Sequence, residues 1–294
     1  MKKELKRNSN YFSRALFCKQ DNEEVLLDCI NGFVEDNNEQ PFKDIEVLSP
    51  YNYKQSITDT ETIVDVKAKN NNGEIVVVEM QTCGSRIFFN RIVDYWVTNY
   101  TMQAEENRRK ADELGDPSLR KPKRIIMIAI VDFIMFSEVK DAHIVHKICN
   151  TINGTPSTDI VEFHTLELPK AVETIKNKKL ALWAIFFGSK NFEEDKIMLA
   201  KQNGVMKKAV GDYEFFREDR DFVSAYEKHQ VYLTGIEMMK EEALSDGIKQ
   251  GIEQGAREKA IETAKKLLKM DLSTDQILIA TGLTEEEVEL IKNA

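Results

Sequence analysis

Thr62-Ile63-Val64-Asp65-Val66-Lys67-Ala68 and Glu74-Ile75-Val76-Val77-Val78-Glu79-Met80-Gln81, separated by Asn70-Asn71-Asn72-Gly73, decide how this chain folds. Both runs are rich in β-branched residues and bounded by turn formers, the pattern of two strands joined as a hairpin. An ionisable side chain inside such a strand costs free energy unless it is paired, solvated or bound to a cation. Here Asp65 and Glu79 interrupt neighbouring strands, and each has a polar residue two positions on, Lys67 and Gln81. Residues two apart in a strand share a face. If the hairpin sets both pairs on one face, two carboxylates converge with an amide and an amine nearby, a setting suited to a hard divalent cation. A cross-strand pairing of Lys67 with one of the acids on a solvated face explains the same pattern.

Working outward, Tyr11 to about Glu35 reads as one or two helices, with Leu26, Ile30 and Phe33 at helical spacing. The stretch from Phe42 to Tyr53 reads as a first short strand. After the hairpin, Ile87 to Gln103 reads as an amphipathic helix carrying Arg91, Tyr95, Trp96 and Tyr100. A polar connector from Arg108 to Arg124 follows, with seven Arg and Lys interleaved with Asp112, Glu113 and Asp116. It is the best local candidate for phosphate contact, although a solvated loop is its default reading. Ile125 to Val131 is nearly all apolar, as a strand buried on both faces requires. A helix is expected around Val139 to Asn150, with His143 and His146 on its surface, and a further strand over Ile160 to Leu166. The expected fold is α/β, a mixed central sheet flanked by helices with a helical C-terminal region behind it. The expected divisions are 1–169 for the core, 170–240 for a helical region and 241–294 for the tail. In the tail, Gly247, Gly251 and Gly255 recur every four residues in a charged helical context. Each glycine costs ~1 kcal/mol relative to alanine in a helix, so the stripe marks an exposed marginal helix or a close-contact surface. Thr284, with Glu287 three residues on, reads as an N-cap.

The 294 residues carry a formal net charge of −9, which argues against coating nucleic acid by bulk electrostatics but not against a local basic groove. No apolar run approaches the ~20 residues of a membrane span. The basic start is not followed by a continuous apolar segment, so no secretory signal is expected. Cys18, Cys29, Cys83 and Cys149 lack C-x-x-C spacing, which fits reduced thiols and a cytoplasmic location.

As metal ligands, Asp65 and Glu79 would bring Mg²⁺, with Mn²⁺ as a substitute, and the Met80 carbonyl is a further candidate oxygen. The ordered set of Thr62 to Lys69 with Asp65, Gly73-Glu74, Glu79-Met80-Gln81, then Arg91 and Tyr95, resembles the PD-(D/E)XK nuclease superfamily. Within it, the chain is similar to the recombination-promoting nuclease/putative transposase group. There glutamine stands where the E-x-K lysine would be, as Gln81 does here, and an Arg-x-x-x-Tyr helix follows. The resemblance covers nearly the whole chain. It implies a restriction-endonuclease-like core and Mg²⁺-dependent hydrolysis of DNA phosphodiester bonds, with a role in recombination or mobile elements. By the same resemblance Gln81 positions water or the metal shell, while Arg91 or Lys67 stabilises charge on phosphate. A first-helix acid, Asp21, Glu23 or Glu24, is implied as an additional ligand, with Glu24 the one carried forward. The competing readings are a catalytically inactive nuclease fold that binds DNA or protein, and a homo-oligomer assembled through the C-terminal tail. The pattern places no partner in a membrane.

Overall fold

The computed structural model describes residues 4–48, 51–52, 62–63, 65–82, 84, 88–170 and 172–293, with backbone alone at 51–52 and 62–63. Tyr53, Val64, Cys83 and Ile87, which enter the reading above, lie outside the described residues. The chain begins with α1 (Asn10–Phe17) and α2 (Glu23–Asp36), followed by β1 (Glu46–Leu48), β2 (Tyr51–Asn52), β3 (Thr62–Ile63), β4 (Val66–Lys69) and β5 (Ile75–Gln81). Next come α3 (Phe88–Leu114), β6 (Ile125–Val131), β7 (His143–Lys147) and β8 (Val161–Glu167). The rest is helical, with α4 (Lys178–Gly188), α5 (Phe192–Ala200), α6 (Gly204–Glu218), α7 (Arg220–Leu268), α8 (Thr274–Thr281) and α9 (Glu285–Lys292).

Six strands form one mixed sheet in the order β1-β4-β5-β6-β8-β7. β4 and β5 pair antiparallel as the hairpin, β5–β6 and β6–β8 pair parallel, and β7 returns antiparallel to β8. The strand period of two splits the apolar residues between two cores. Val66, Val76, Val78, Ile126 and Ile128 pack with α1, α2 and α4, whereas Ile75, Val77, Ile125 and Met127 pack with Phe88 and Ile92 of α3. β6 is buried along its full length, as its apolar run requires. The two helices α2 and α4 meet at Gly32, where a Cβ would lie 3.1 Å from the Leu180 backbone.

Two expectations are corrected. The segment around Val139 to Asn150 contains the strand β7, not a helix. Five residues are too few for periodicity to separate the two states, and β-branched Ile144 and Val145 pair along β8. His143 and His146 therefore occupy a strand instead of one helix face. The connector expected from Arg108 also begins as helix, because α3 continues through good helix formers to Leu114 and stops at Gly115, whose φ of +66° only glycine adopts readily. Its charges largely answer one another, Arg109 with Glu113, Lys110 with Glu106 and Arg120 with Asp112.

Contacts divide the chain into a unit of Met1–Tyr226 and a unit of Glu227–Ala294. The expected boundary after residue 169 falls inside the first unit, where α4, Met206 and Tyr213 share the core with α1 and α2. In the second unit, Ala264, Ile277, Leu283 and Val288 form a small core. Capping boxes at Ser273/Gln276 and Thr284/Glu287 open α8 and α9. The glycines at 247, 251 and 255 have open space around them. Among the described residues, no helix is long and apolar enough to cross a membrane.

Candidate active site

The β4–β5 register sets Val66 opposite Val78, so Asp65, one residue before β4, falls opposite Glu79. Each carboxylate is held by the other strand's backbone. The Asp65 amide donates to Glu79 Oε1 at 3.2 Å, and the Met80 amide donates to Asp65 Oδ2 at 2.8 Å. Both side chains are deeply buried, with residue exposures of 4% and 5%. Burial pushes the Asp65 carboxyl up to about 6, against the opposing pull of the Met80 amide and of Arg14 and Arg91. Glu79 is pushed well above the ordinary carboxylate range, first by burial and then by the charge of Asp65. Two acids so close cannot both carry charge at little cost, and they titrate as a pair.

Two arginines approach this pair from opposite sides of the sheet. Arg14 of α1 reaches Asp65 Oδ1 with Nη2 at 3.4 Å and the Asp65 carbonyl with Nε at 3.3 Å. From the first turn of α3, Arg91 donates to Gln81 Oε1 at 2.7 Å and lies over Phe88, 4.9 Å from the ring centre. A lysine at position 81 would repel this guanidinium, whereas a glutamine carbonyl accepts from it. Tyr95, one turn along α3, has its hydroxyl pKa raised by burial and then by the charge of Glu79. Cys18 also senses the site: burial pushes its thiol up, Arg14 opposes that and Asp65 adds to it. Sequence reasoning missed Arg14, because the spacing that defined α1 concerned its apolar face and the contact spans 51 residues.

Of the remaining candidates, Met80 touches the pair. Lys67 has the parity of Asp65 but sits beneath the middle of α3, where burial lowers its pKa and the charge of Glu106 opposes that. Glu24 pairs with Lys208 at 2.8 Å, and the Asp21 carbonyl accepts from the same ammonium. Glu23 is exposed at the start of α2. Met80 contributes its amide to Asp65. His143 and His164 belong to a separate buried chain, Asp36–His143–His164–Glu162, with contacts of 2.6, 2.8 and 2.6 Å.

The donor set suits a hard divalent cation. Two carboxylates meet in a setting that penalises their charges, and a cation between them would remove that penalty. Among the described residues no group of three or more His, Cys, Asp or Glu is placed to hold a metal. Two carboxylates is the number with which Mg²⁺ is usually held, waters and substrate oxygens completing the shell.

No match to the chain was found among curated proteins or solved structures. The model of one family, the PD-(D/E)XK nuclease family transposases, matches residues 8–243, a span that contains the hairpin, both arginines and the whole sheet. With most of its length matched, the chain belongs to the PD-(D/E)XK nuclease family transposases.

Proposed function

We propose that the protein is a Mg²⁺-dependent DNA endonuclease, with Mn²⁺ as a substitute, acting in recombination or mobile-element processes. The observation that supports this reading is the buried pair Asp65 and Glu79, each fixed by the opposite strand's backbone and flanked by Arg14 and Arg91. Asp65 and Glu79 would hold the cation, with the Met80 carbonyl as a further oxygen, and a cation there would lower the pKa of the attacking water and offset charge on phosphate. Gln81 fixes Arg91 by accepting from it, and Arg91 meets the charge that develops on the phosphate oxygens. Gln81 also orients the attacking water with its amide. No covalent intermediate on the protein is required.

A plasmid-relaxation assay with Mg²⁺, with Mn²⁺ and with chelator tests this directly. Metal-dependent nicking is expected. DNA binding without cutting under any of these conditions would instead identify an inactive nuclease fold, the alternative that Gln81 raises by standing in the lysine position.

Self-association through the tail belongs to the same proposal. Leu244, Ile248 and Ile252 are exposed along α7 at four-residue spacing, a seam that a second copy would cover. Light scattering of the full chain against an Ile248→Glu, Ile252→Glu variant is expected to show a mass above the monomer only for the unsubstituted protein. Equal masses would remove the idea.

A further inference from the structure

Asp65, Lys67 and Lys69 share one face of the hairpin, each ~7 Å from the next at the usual strand rise. α3 runs over the same face: Arg91 contacts Gln81, and three turns further on Gln103 donates to the Gly73 carbonyl at 3.2 Å. Between strand and helix, beginning two residues from Asp65, lies a cavity of about 410 Å³. That volume is in the range of small-ligand sites, roughly 300–1,000 Å³.

The lining has a definite chemistry. Lys67 and Lys69 supply cations from β4, and Ile75 supplies apolar surface. Asn99, fully buried, donates through Nδ2 to the Tyr95 carbonyl at 2.8 Å, which fixes the orientation of its amide. Its Oδ1 is thereby left without a donor among the described residues. A buried acceptor in that state is unfavourable, and an entering N–H group would satisfy it. Gln103 is already engaged, accepting from the Lys123 amide at 2.7 Å as well as donating to Gly73. Glu106 is bound by Lys110, and its charge also acts on Lys67 and Lys69. At the rim, Arg109 pairs with Glu113, which does not line the cavity, and Glu105 is exposed. The cavity therefore selects a ligand that carries negative charge, an N–H donor and some flat apolar surface. A nucleotide has all three, in its phosphate, its base amine and its ring. A base pair does not qualify, because two strands do not fit between a sheet and the helix packed on it, about 10 Å apart.

We propose that this cavity is a subsite for an unpaired nucleotide next to the scissile phosphate, with Lys67 and Lys69 on its phosphates and Asn99 Oδ1 on its base amine. The proposal rests on the endonuclease reading and deepens it, by naming DNA with an unpaired residue beside the cut as the substrate class. Lys67 is then a positioning residue, not a cation for the reacting phosphate.

Fluorescence anisotropy of the full chain in chelator, where nothing is cut, tests it with two labelled DNA hairpins, one fully paired and one with a single bulged adenine. At least a ten-fold preference for the bulged hairpin is expected. Lys67→Met, which keeps the apolar stem, and Lys69→Gln should each abolish the preference and lower the slope of log affinity against log salt by about one. Adenosine monophosphate should compete only weakly. Equal affinity for the two hairpins, or a preference that survives in both variants, would overturn the proposal. So would strong competition by the mononucleotide without any bulge preference, which would assign the cavity to a free nucleotide. With cleavable DNA and Mg²⁺, the variants should raise KM more than they lower kcat. Bulge preference without any cutting would sink the endonuclease reading and leave the subsite standing. Plasmid cutting without bulge preference would do the reverse.

Discussion

Glu79→Gln is expected to remove metal-dependent cleavage and, at the same time, to make the metal-free protein more stable. The first effect follows from losing one of two carboxylates that hold the cation. Metal stabilisation of transition-state charge amounts to several kcal/mol, so about 4 kcal/mol lost is roughly a thousand-fold in rate. The second effect follows from burial. Asp65 is raised to about 6 and Glu79 well above its ordinary value, so the folded protein binds more protons than the unfolded chain over this range. Stability then falls as pH rises from about 4, where unfolded carboxylates titrate, through the folded values. Below about 4 both states are protonated and the penalty is absent. Glutamine keeps the shape and the acceptor for the Asp65 amide while removing one charge. At neutral pH the variant should be stabler than the parent, because a carboxyl that burial and the charge of Asp65 hold well above its ordinary range is replaced by a neutral amide. Its stability should also change less across the acid range. Urea titrations in chelator at several pH values, beside the plasmid assay, check both effects. A variant that cuts like the parent, or one that is less stable at neutral pH, would show that these acids do not form the strained pair described here.

The same pair shows why part of the site was legible in the sequence. Two acids inside β-branched runs, with a four-residue turn between them, fix both the hairpin and the facing positions of Asp65 and Glu79. Gln81 was legible with them through strand parity. Parity also put Lys67 on the correct face, but its place along the strand, beneath Asn99 and Glu106, is set by where α3 crosses, a tertiary fact. Arg14 was illegible for a related reason, since nothing local in Asn10–Phe17 reports that Asp65 lies against that helix. The histidines failed differently. His143 and His146 stand three apart, which reads as a helix face, and only pairing with β8 reveals that His143 meets His164. β6 was the easiest element to read, because a strand buried on both faces has no alternation to misjudge.

Truncating Glu162 to alanine should cost several kcal/mol of stability, about 3–5, without touching the active site. Glu162, at 2% exposure, accepts from His164 Nε2 at 2.6 Å and pairs with Arg124 and, at 3.1 Å, with Lys147. Glu39 bridges the same two cations. At the far end, His143 lies between His164 and Asp36. In this chain each outer ring nitrogen faces a carboxylate and so carries a proton, and the 2.8 Å contact between the rings needs one more. The two rings share the proton between them. Burial, with the charge of His143 adding to it, pushes His164 down to about 4. Glu39 and Glu162 are balanced by Arg124 and Lys147. Breaking such a buried set by removing one partner costs about 3–5 kcal/mol. Glu162→Gln should cost less, because it still accepts from His164. Burial raises the Glu162 pKa, but His164 and Arg124 outweigh it and bring the carboxyl to about 2. Its contribution is therefore full above about 4.3, the unfolded value, and is lost as pH falls through 2. That is opposite in sign to the Asp65–Glu79 pair, so the alanine variant should lose the acid limb of the stability curve and keep the decline toward neutral pH. The two sites share no residue, and Glu162→Ala combined with Glu79→Gln should give additive changes. Chemical denaturation across the acid range resolves these slopes. An alanine variant within about 1 kcal/mol of the parent, the ordinary scale of a surface change or less, would mean that Glu162 is solvated and that the two histidines share no proton.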